Sequence, residues 1–254
     1  MAFTEEDSSR RTQLNGDIRI PDGIKSAIVF GHADGDGHLA AVQSREWLVR
    51  QGVDVTVVVS PSTRNHFFWH RLVDFDLSKY DLVAFVDIAF RFRDPEESLA
   101  QLLRVVDCLP DTHFVAVDHH PFVHPDVPRE NLLLIEVDDP YRCCLGLPDP
   151  ELMQVAALCD GSPTAIVPTP LLTRRALGVK RAAADVAGIA GDTLLGLISE
   201  RRWEFFEALA VEAREMHLSA RGIRRRSSKN SPLIDYARSH PPSATPKWPL
   251  GPST

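Results

Sequence analysis

The sequence predicts an α/β fold, a parallel, doubly wound, Rossmann-like sheet of about five strands followed by a helical C-terminal part. Three observations lead to it. Short runs that are apolar throughout recur along the first half of the chain, as strands buried on both faces require. Segments with helical apolar spacing separate them, so consecutive strands are joined by right-handed crossovers and lie parallel. Beyond residue 149 the apolar period is helical alone.

Residues 1–23 are polar and aperiodic, and read as a mobile arm ending in the turn Pro21-Asp22-Gly23. Ala27-Ile28-Val29-Phe30 is the first strand, and a Gly-rich bend leads from it into a helix through Leu39, Val42 and Leu48 that Gly52 ends. Then come a strand over Val53–Val59, a helix near His66–Val73, a strand over Leu82–Val86, a helix over Glu96–Val106, and strands His113–Val117 and Leu132–Val137. Asp149-Pro150 supplies an N-cap and an N1 proline for a helix carrying Leu152, Val155, Ala156 and Cys159, which should stop near Gly161. A proline-rich connection leads to a second helix with Val186, Ile189, Ala190, Thr193 and Leu197 on one face. A third carries Phe206, Leu209, Ala210, Ala213 and Met216. The main domain is expected over 24–200, a connector-like helix over 201–226, and a disordered Ser- and Pro-containing tail over 227–254.

Composition bounds the function without choosing it. The 254 residues are 44% hydrophobic and 25% charged, which suits a soluble globular protein. A formal charge of −7 argues against a surface that grips long duplex nucleic acid, because that mode needs an excess of Lys and Arg. Cys108, Cys143, Cys144 and Cys159 lack the paired spacing of a zinc site, and no signal-like stretch follows the start, so a reducing cytoplasm is the expected compartment. No apolar run approaches the roughly 20 residues that span a bilayer.

Acidic and histidine residues gather where strands end, which is where open α/β sheets bind ligands. His32, Asp34 and Asp36 alternate within Gly31-His32-Ala33-Asp34-Gly35-Asp36-Gly37, a tight bend that glycines permit. Asp87 closes the apolar strand Leu82–Val86, where an unpaired carboxylate is costly unless a cation or donors meet it. Asp118-His119-His120 follow Phe114-Val115-Ala116-Val117, and adjacent residues leaving a strand point oppositely, so the two histidines should serve different roles.

These segments, H-A-D-G-D-G, then V-D, then V-D-H-H, resemble motifs one to three of the DHH phosphoesterases in order and context. The compact spacing of His32, Asp34 and Asp36 is similar to the single-strand exonuclease branch typified by RecJ, rather than to family II pyrophosphatases. A fourth motif, an aspartate after a helical segment, is matched by Asp192 in Ala187-Gly188-Ile189-Ala190-Gly191-Asp192, similar to oligoribonuclease members; Asp160 is the competitor. The resemblance implies two metal ions, Mn(II) with Mg(II) or Co(II) as substitutes. His32, Asp34 and Asp87 would hold one, and Asp36, Asp87, His119 and Asp192 the other. His120 would stabilise phosphoryl charge, and Asp118 would orient His119. The implied activity is metal-dependent hydrolysis of phosphodiester bonds in short single-stranded oligonucleotides or small nucleotides, with a non-catalytic nucleotide- or nucleic-acid-binding relative and a pyrophosphate-type phosphoanhydride hydrolase as the alternatives. The resemblance covers roughly Ile24 to Leu197; the family's associated Gly-Gly-Gly-His domain is not evident after Arg221, so a homodimer or another partner would complete the substrate surface.

Taken singly, each residue has a plainer role. A lone histidine is usually satisfied by its surroundings and an aspartate before a helix is usually an N-cap, and His38, His66, His70, His113 and His124 are read that way. Arg91 and Arg93 are read as exposed loop residues that could reach substrate phosphates. Arg224, Arg225, Arg226 and Lys229 read as a charged helix end, with a track for single strands as the alternative.

Overall fold

β1 (Ser26–His32) lies inside the sheet because Ala27, Ile28, Val29 and Phe30 leave no polar face to give to water, and all are buried. It pairs in parallel with β2 (Asp54–Ser60) and with β3 (Leu82–Val86). β4 (His113–Asp118) and β5 (Leu132–Glu136) complete a five-stranded sheet of order β2-β1-β3-β4-β5, parallel throughout. The computed structural model describes residues 20–60, 69–90, 94–139, 142–146, 149–161, 168–184 and 191–219. The α/β class with a helical C-terminal part is therefore as the sequence predicts.

Side-chain alternation along the strands divides the core in two. Ala27, Val29, Ala84, Val86, Val115 and Val117 face one side, where they meet α1 (Gly35–Arg50), α3 (Pro150–Asp160), α4 (Pro170–Ala184), α5 (Gly191–Ser199) and α6 (Trp203–Ser219). Ile28, Phe30, Val83, Phe85, Phe114 and Ala116 face the other, against α2 (Pro95–Cys108) and a short 3-10 segment, Trp69–Asp74. Phe30, Phe85 and Phe114 are fully buried there, and truncating one to alanine should cost about 3–5 kcal/mol.

The helices start where their caps dictate. Asp34 caps α1 by accepting from the Gly37 N–H at 3.1 Å, Asp94 caps α2 from the Glu97 N–H at 3.2 Å, and Asp149 caps α3 from the Glu151 and Leu152 N–H groups at 3.0 Å. Gly161, with φ +84°, ends α3 in the left-handed conformation that favours glycine. Arg201 then ties the helical part to α1: its guanidinium donates to both Glu46 oxygens at 3.0 Å and to Asp149 at 3.3 Å.

Two expectations are corrected. Residues 170–184, read as part of a proline-rich connection, form α4. Pro170 stands at its start, Thr169 Oγ1 accepts from the Leu172 N–H at 3.2 Å, and Ala176, Val179, Ala182 and Ala183 give it a buried face. Proline at a helix start favours the helix rather than breaking it. The helix expected near His66–Val73 is the 3-10 segment from Trp69; residues 61–68 lie outside the described set, as do 1–19, 91–93, 185–190 and 220–254 with the readings made on them.

Candidate metal centre

The sheet order creates a switch point between β1 and β3. The chain leaves β1 through α1 on one face and leaves β3 through α2 on the other, so a crevice opens at their carboxyl ends. His32 is the last residue of β1, Asp87 follows β3, and Asp118 is the last residue of β4. The three expected clusters thus occupy neighbouring strand ends.

Local chemistry sets each side chain. Gly31 and Gly37 allow α1 to approach the end of β1: a Cβ at Gly31 would lie 2.9 Å from Ala41 Cβ, and one at Gly37 would overlap the His32 carbonyl oxygen and come 2.6 Å from His32 Cβ. Asp34, with Oδ1 used as the cap, turns Oδ2 to His32 Nδ1 at 2.8 Å. Asp87 has φ +57°, a left-handed conformation costing about 1–3 kcal/mol that aspartate tolerates better than most residues, and its N–H donates to the Val117 carbonyl at 2.9 Å. The sheet therefore fixes a strained turn that lifts its carboxylate between the neighbouring strands.

That carboxylate stands between two imidazoles. Asp87 Oδ2 is 3.8 Å from His32 Nδ1, and Oδ1 is 3.5 Å from His119 Nδ1. Asp118 Oδ1 accepts from the ring Nδ1 and the backbone N–H of His120, both at 2.7 Å, whereas His119 Nδ1 is 3.9 Å away. Asp118 thus orients His120, where the sequence reading gave it His119. Asp87 and Asp118 are buried, and Oδ2 of each has no hydrogen-bond partner among the described residues. Orphaned carboxylate oxygens at this depth are costly, and a cation would satisfy them.

The electrostatics point the same way. Burial, with the charges of Asp87, Asp34 and Asp160, pushes Asp36 up to about 8. Burial alone would depress His32 and His119, but the short contact with Asp34 and the charges of Asp34 and Asp87 raise His32 to about 10, and the adjacent Asp87 carboxylate with the charges of Asp118 and Asp160 raises His119 to about 9. Burial opposes the charge on Asp34, yet its bond to His32 outweighs this and holds it below the usual carboxylate range. This concentration of buried acidic charge would also favour a divalent cation.

The structure brings together His32, Asp34, Asp36, Asp87, Asp118, His119 and His120. Asp160, at the end of α3, acts electrostatically on both Asp36 and His119, whereas burial is the one resolved influence on Asp192 in α5. His38 is a satisfied buried residue: its ring Nδ1 bonds the Asp34 carbonyl oxygen, and burial lowers its pKa. One neighbour was missed by sequence reasoning. Cys143 lies 3.3 Å by Sγ from His119 Nδ1, and burial together with the nearby carboxylates raises its thiol pKa. It lies seven residues beyond the end of β5, so no strand-end pattern marks it in the sequence.

No family model matches this chain, and no similar curated protein is found. Among solved structures it is similar to the exonuclease RecJ bound to manganese, at 19% identity and TM-score 0.44, covering 78% of this chain and 62% of that one. It is also similar to RecJ in complex with Mn2+ from Thermus thermophilus, at 17% identity and TM-score 0.37, covering 85% and 34%. An uncharacterized protein from Helicobacter pylori matches at 12% identity and TM-score 0.43, covering 85% and 69%. The chain spans less than two thirds of either RecJ chain. No described helix is long and apolar enough to cross a membrane.

Proposed function

We propose that this chain is a divalent-metal-dependent phosphohydrolase of the DHH phosphoesterase type, acting on phosphodiester bonds of small nucleotides or short single-stranded oligonucleotides. The observation that carries the reading is Asp87: a buried carboxylate on a strained turn, flanked by His32 and His119, with one oxygen lacking a hydrogen bond among the described residues. His32, Asp34 and Asp87 would hold one ion. Asp36, Asp87, His119 and Asp160 would hold the second, with Asp87 shared. The fourth-motif ligand would be Asp160 or Asp192, and the charge of Asp160 on Asp36 and His119 supports Asp160. Donors of this mixed carboxylate and imidazole kind suit Mn(II), Co(II) or Zn(II).

The ions would polarise a phosphoryl group and lower the pKa of a shared water so that it attacks as hydroxide. The protein's own residues do the rest. Asp118 fixes the His120 ring through Nδ1, which makes Nε2 the atom to donate toward a phosphoryl oxygen as charge develops there. Because Asp118 also accepts from the His120 backbone N–H, ring and main chain are held by one carboxylate oxygen. The strand ends hold the acidic groups in place before substrate arrives, so little reorganisation is needed in the transition state.

The test is a panel of inorganic pyrophosphate, linear and cyclic dinucleotides, short single strands and long duplex, assayed with Mn(II), Co(II) and Zn(II) separately. Released phosphate and released mononucleotide are scored apart. Mononucleotide from dinucleotides or short strands, abolished by chelator, is the expected result. Phosphate from pyrophosphate alone would make the protein a phosphoanhydride hydrolase, and metal-dependent binding without any turnover would make it a nucleotide-binding relative.

A further inference from the structure

Cys143 stands apart from the ligand set above in being a sulfur donor. Its Sγ is 3.3 Å from His119 Nδ1, Asp87 Oδ1 is 3.5 Å from the same nitrogen, and donor atoms of Asp87, His119 and Cys143 all lie within 4.8 Å of one another. Bonds of roughly 2.0–2.3 Å from one tetrahedral ion place neighbouring donors about 3.3–3.7 Å apart, which matches both measured separations. A second sign is the Asp87 carboxylate itself: it is buried, and its Oδ2, on the side of His32, has no hydrogen-bond partner among the described residues.

The sulfur is held there by its loop. Cys144 N–H donates to the Arg142 carbonyl at 2.7 Å, and Leu145 N–H donates to Ser44 Oγ at 2.9 Å on α1, the helix whose first turn carries Asp36. Gly146, with φ +73°, lies against Trp47, where a Cβ would overlap the indole. The other buried cysteines differ: Cys159 Sγ donates to the Ala176 carbonyl at 3.6 Å, and among the described residues neither Cys159 nor Cys144 shares a possible metal group with a histidine.

We propose that Cys143 is a direct ligand at the Asp87–His119 position, and that its sulfur biases this half of the centre toward Zn(II) or Co(II) and away from Mn(II) or Mg(II). The inference rests on the metal-centre reading above and specifies its donor set. Soft thiolate favours zinc and cobalt, while carboxylate-only sites favour the harder ions. On coordination the thiol proton leaves to solvent and the sulfur lone pair forms the bond to the ion, with no change of oxidation state.

The experiment titrates Co(II) into the full chain and into Cys143→Ser, Cys144→Ser and Asp87→Asn variants, following visible d–d absorption and the near-ultraviolet sulfur-to-cobalt charge-transfer band. The wild type and Cys144→Ser should show both, while Cys143→Ser keeps the d–d bands and loses charge transfer. In Cys143→Ser, Zn(II) affinity should fall by at least about 10–100-fold, and Mn(II) affinity should fall by less, because Mn(II) depends less on a soft sulfur donor. Cobalt bound to the wild type with d–d bands but no charge transfer would overturn the cysteine ligand and leave the metal centre standing. No Co(II) uptake by the wild type would overturn both. Should Cys143→Ser fail to fold by circular dichroism, X-ray absorption of the Co(II)-loaded wild type decides, since a sulfur neighbour at about 2.3 Å is either present or absent.

Discussion

The Asp87 carboxylate and the His119 ring, carried by neighbouring parallel strands, meet with Oδ1 3.5 Å from Nδ1. The contact follows from the register of β3 on β4, which sets Val86 beside Val117 and so brings the two strand ends out side by side. In the proposed reading, metal binding and the pH response of the metal-free protein both involve this pair.

The metal-free protein should lose stability as pH rises. His32 and His119 have folded pKa values raised from 6.5 to about 10 and about 9, so the stability they contribute is complete below the unfolded value. It is lost as pH climbs through those folded values. Asp36, raised from 3.8 to about 8, binds its proton more tightly when folded and adds a loss of the same sign at lower pH. Denaturant unfolding in chelator across this range should show a falling free energy, and saturating divalent metal should offset it by binding the deprotonated forms. A flat chelator profile would show that these rings are not held charged.

His120→Gln should lower kcat by about 10²–10³-fold, the usual cost of one donor to developing charge, with metal stoichiometry intact. Asp118→Asn should lower kcat in the same direction, because the carboxylate that fixes the His120 ring is replaced by a neutral amide. Steady-state kinetics beside a metal-binding isotherm checks this. Loss of metal by His120→Gln would make that histidine a ligand instead.

Asp160→Asn should weaken divalent metal binding by about 10–100-fold or more, whereas Asp192→Asn should leave it unchanged. Isothermal titration of both variants separates the two aspartates. The reverse pattern would return the fourth-motif role to Asp192.

Gly37→Ala should destabilise the fold and reduce metal affinity together. The added Cβ would come 2.6 Å from His32 Cβ and overlap the His32 carbonyl, so α1 must move off the end of β1 and carry Asp34 and Asp36 with it. A thermal melt and a metal isotherm on one preparation measure both effects. An unchanged melt would mean that this close approach is not enforced.

Much of this centre is legible in the sequence because strand ends are. An apolar run such as Leu82–Val86 has one exit, and Asp87 stands at it. The same reasoning places His32 and Asp118. Helices are harder to read where proline opens them: Pro170 looks like part of a connection, yet it begins α4. Tertiary neighbours without a local pattern are harder still. Cys143 reaches His119 only through a loop pinned to Ser44 across the core, and Asp160 comes near Asp36 only because α3 packs beside α1. No spacing rule encodes those approaches.

If the Asp87 carboxylate is shared by two divalent ions, its loss should show in the metal content of the wild type and Asp87→Asn after equilibrium dialysis against Mn(II), Co(II) or Zn(II). Circular dichroism establishes that both are folded. The wild type should retain about two ions per chain, as a two-metal site requires, and folded Asp87→Asn should retain fewer than one at the same free concentration. Equal metal content in the two folded proteins would contradict the claim.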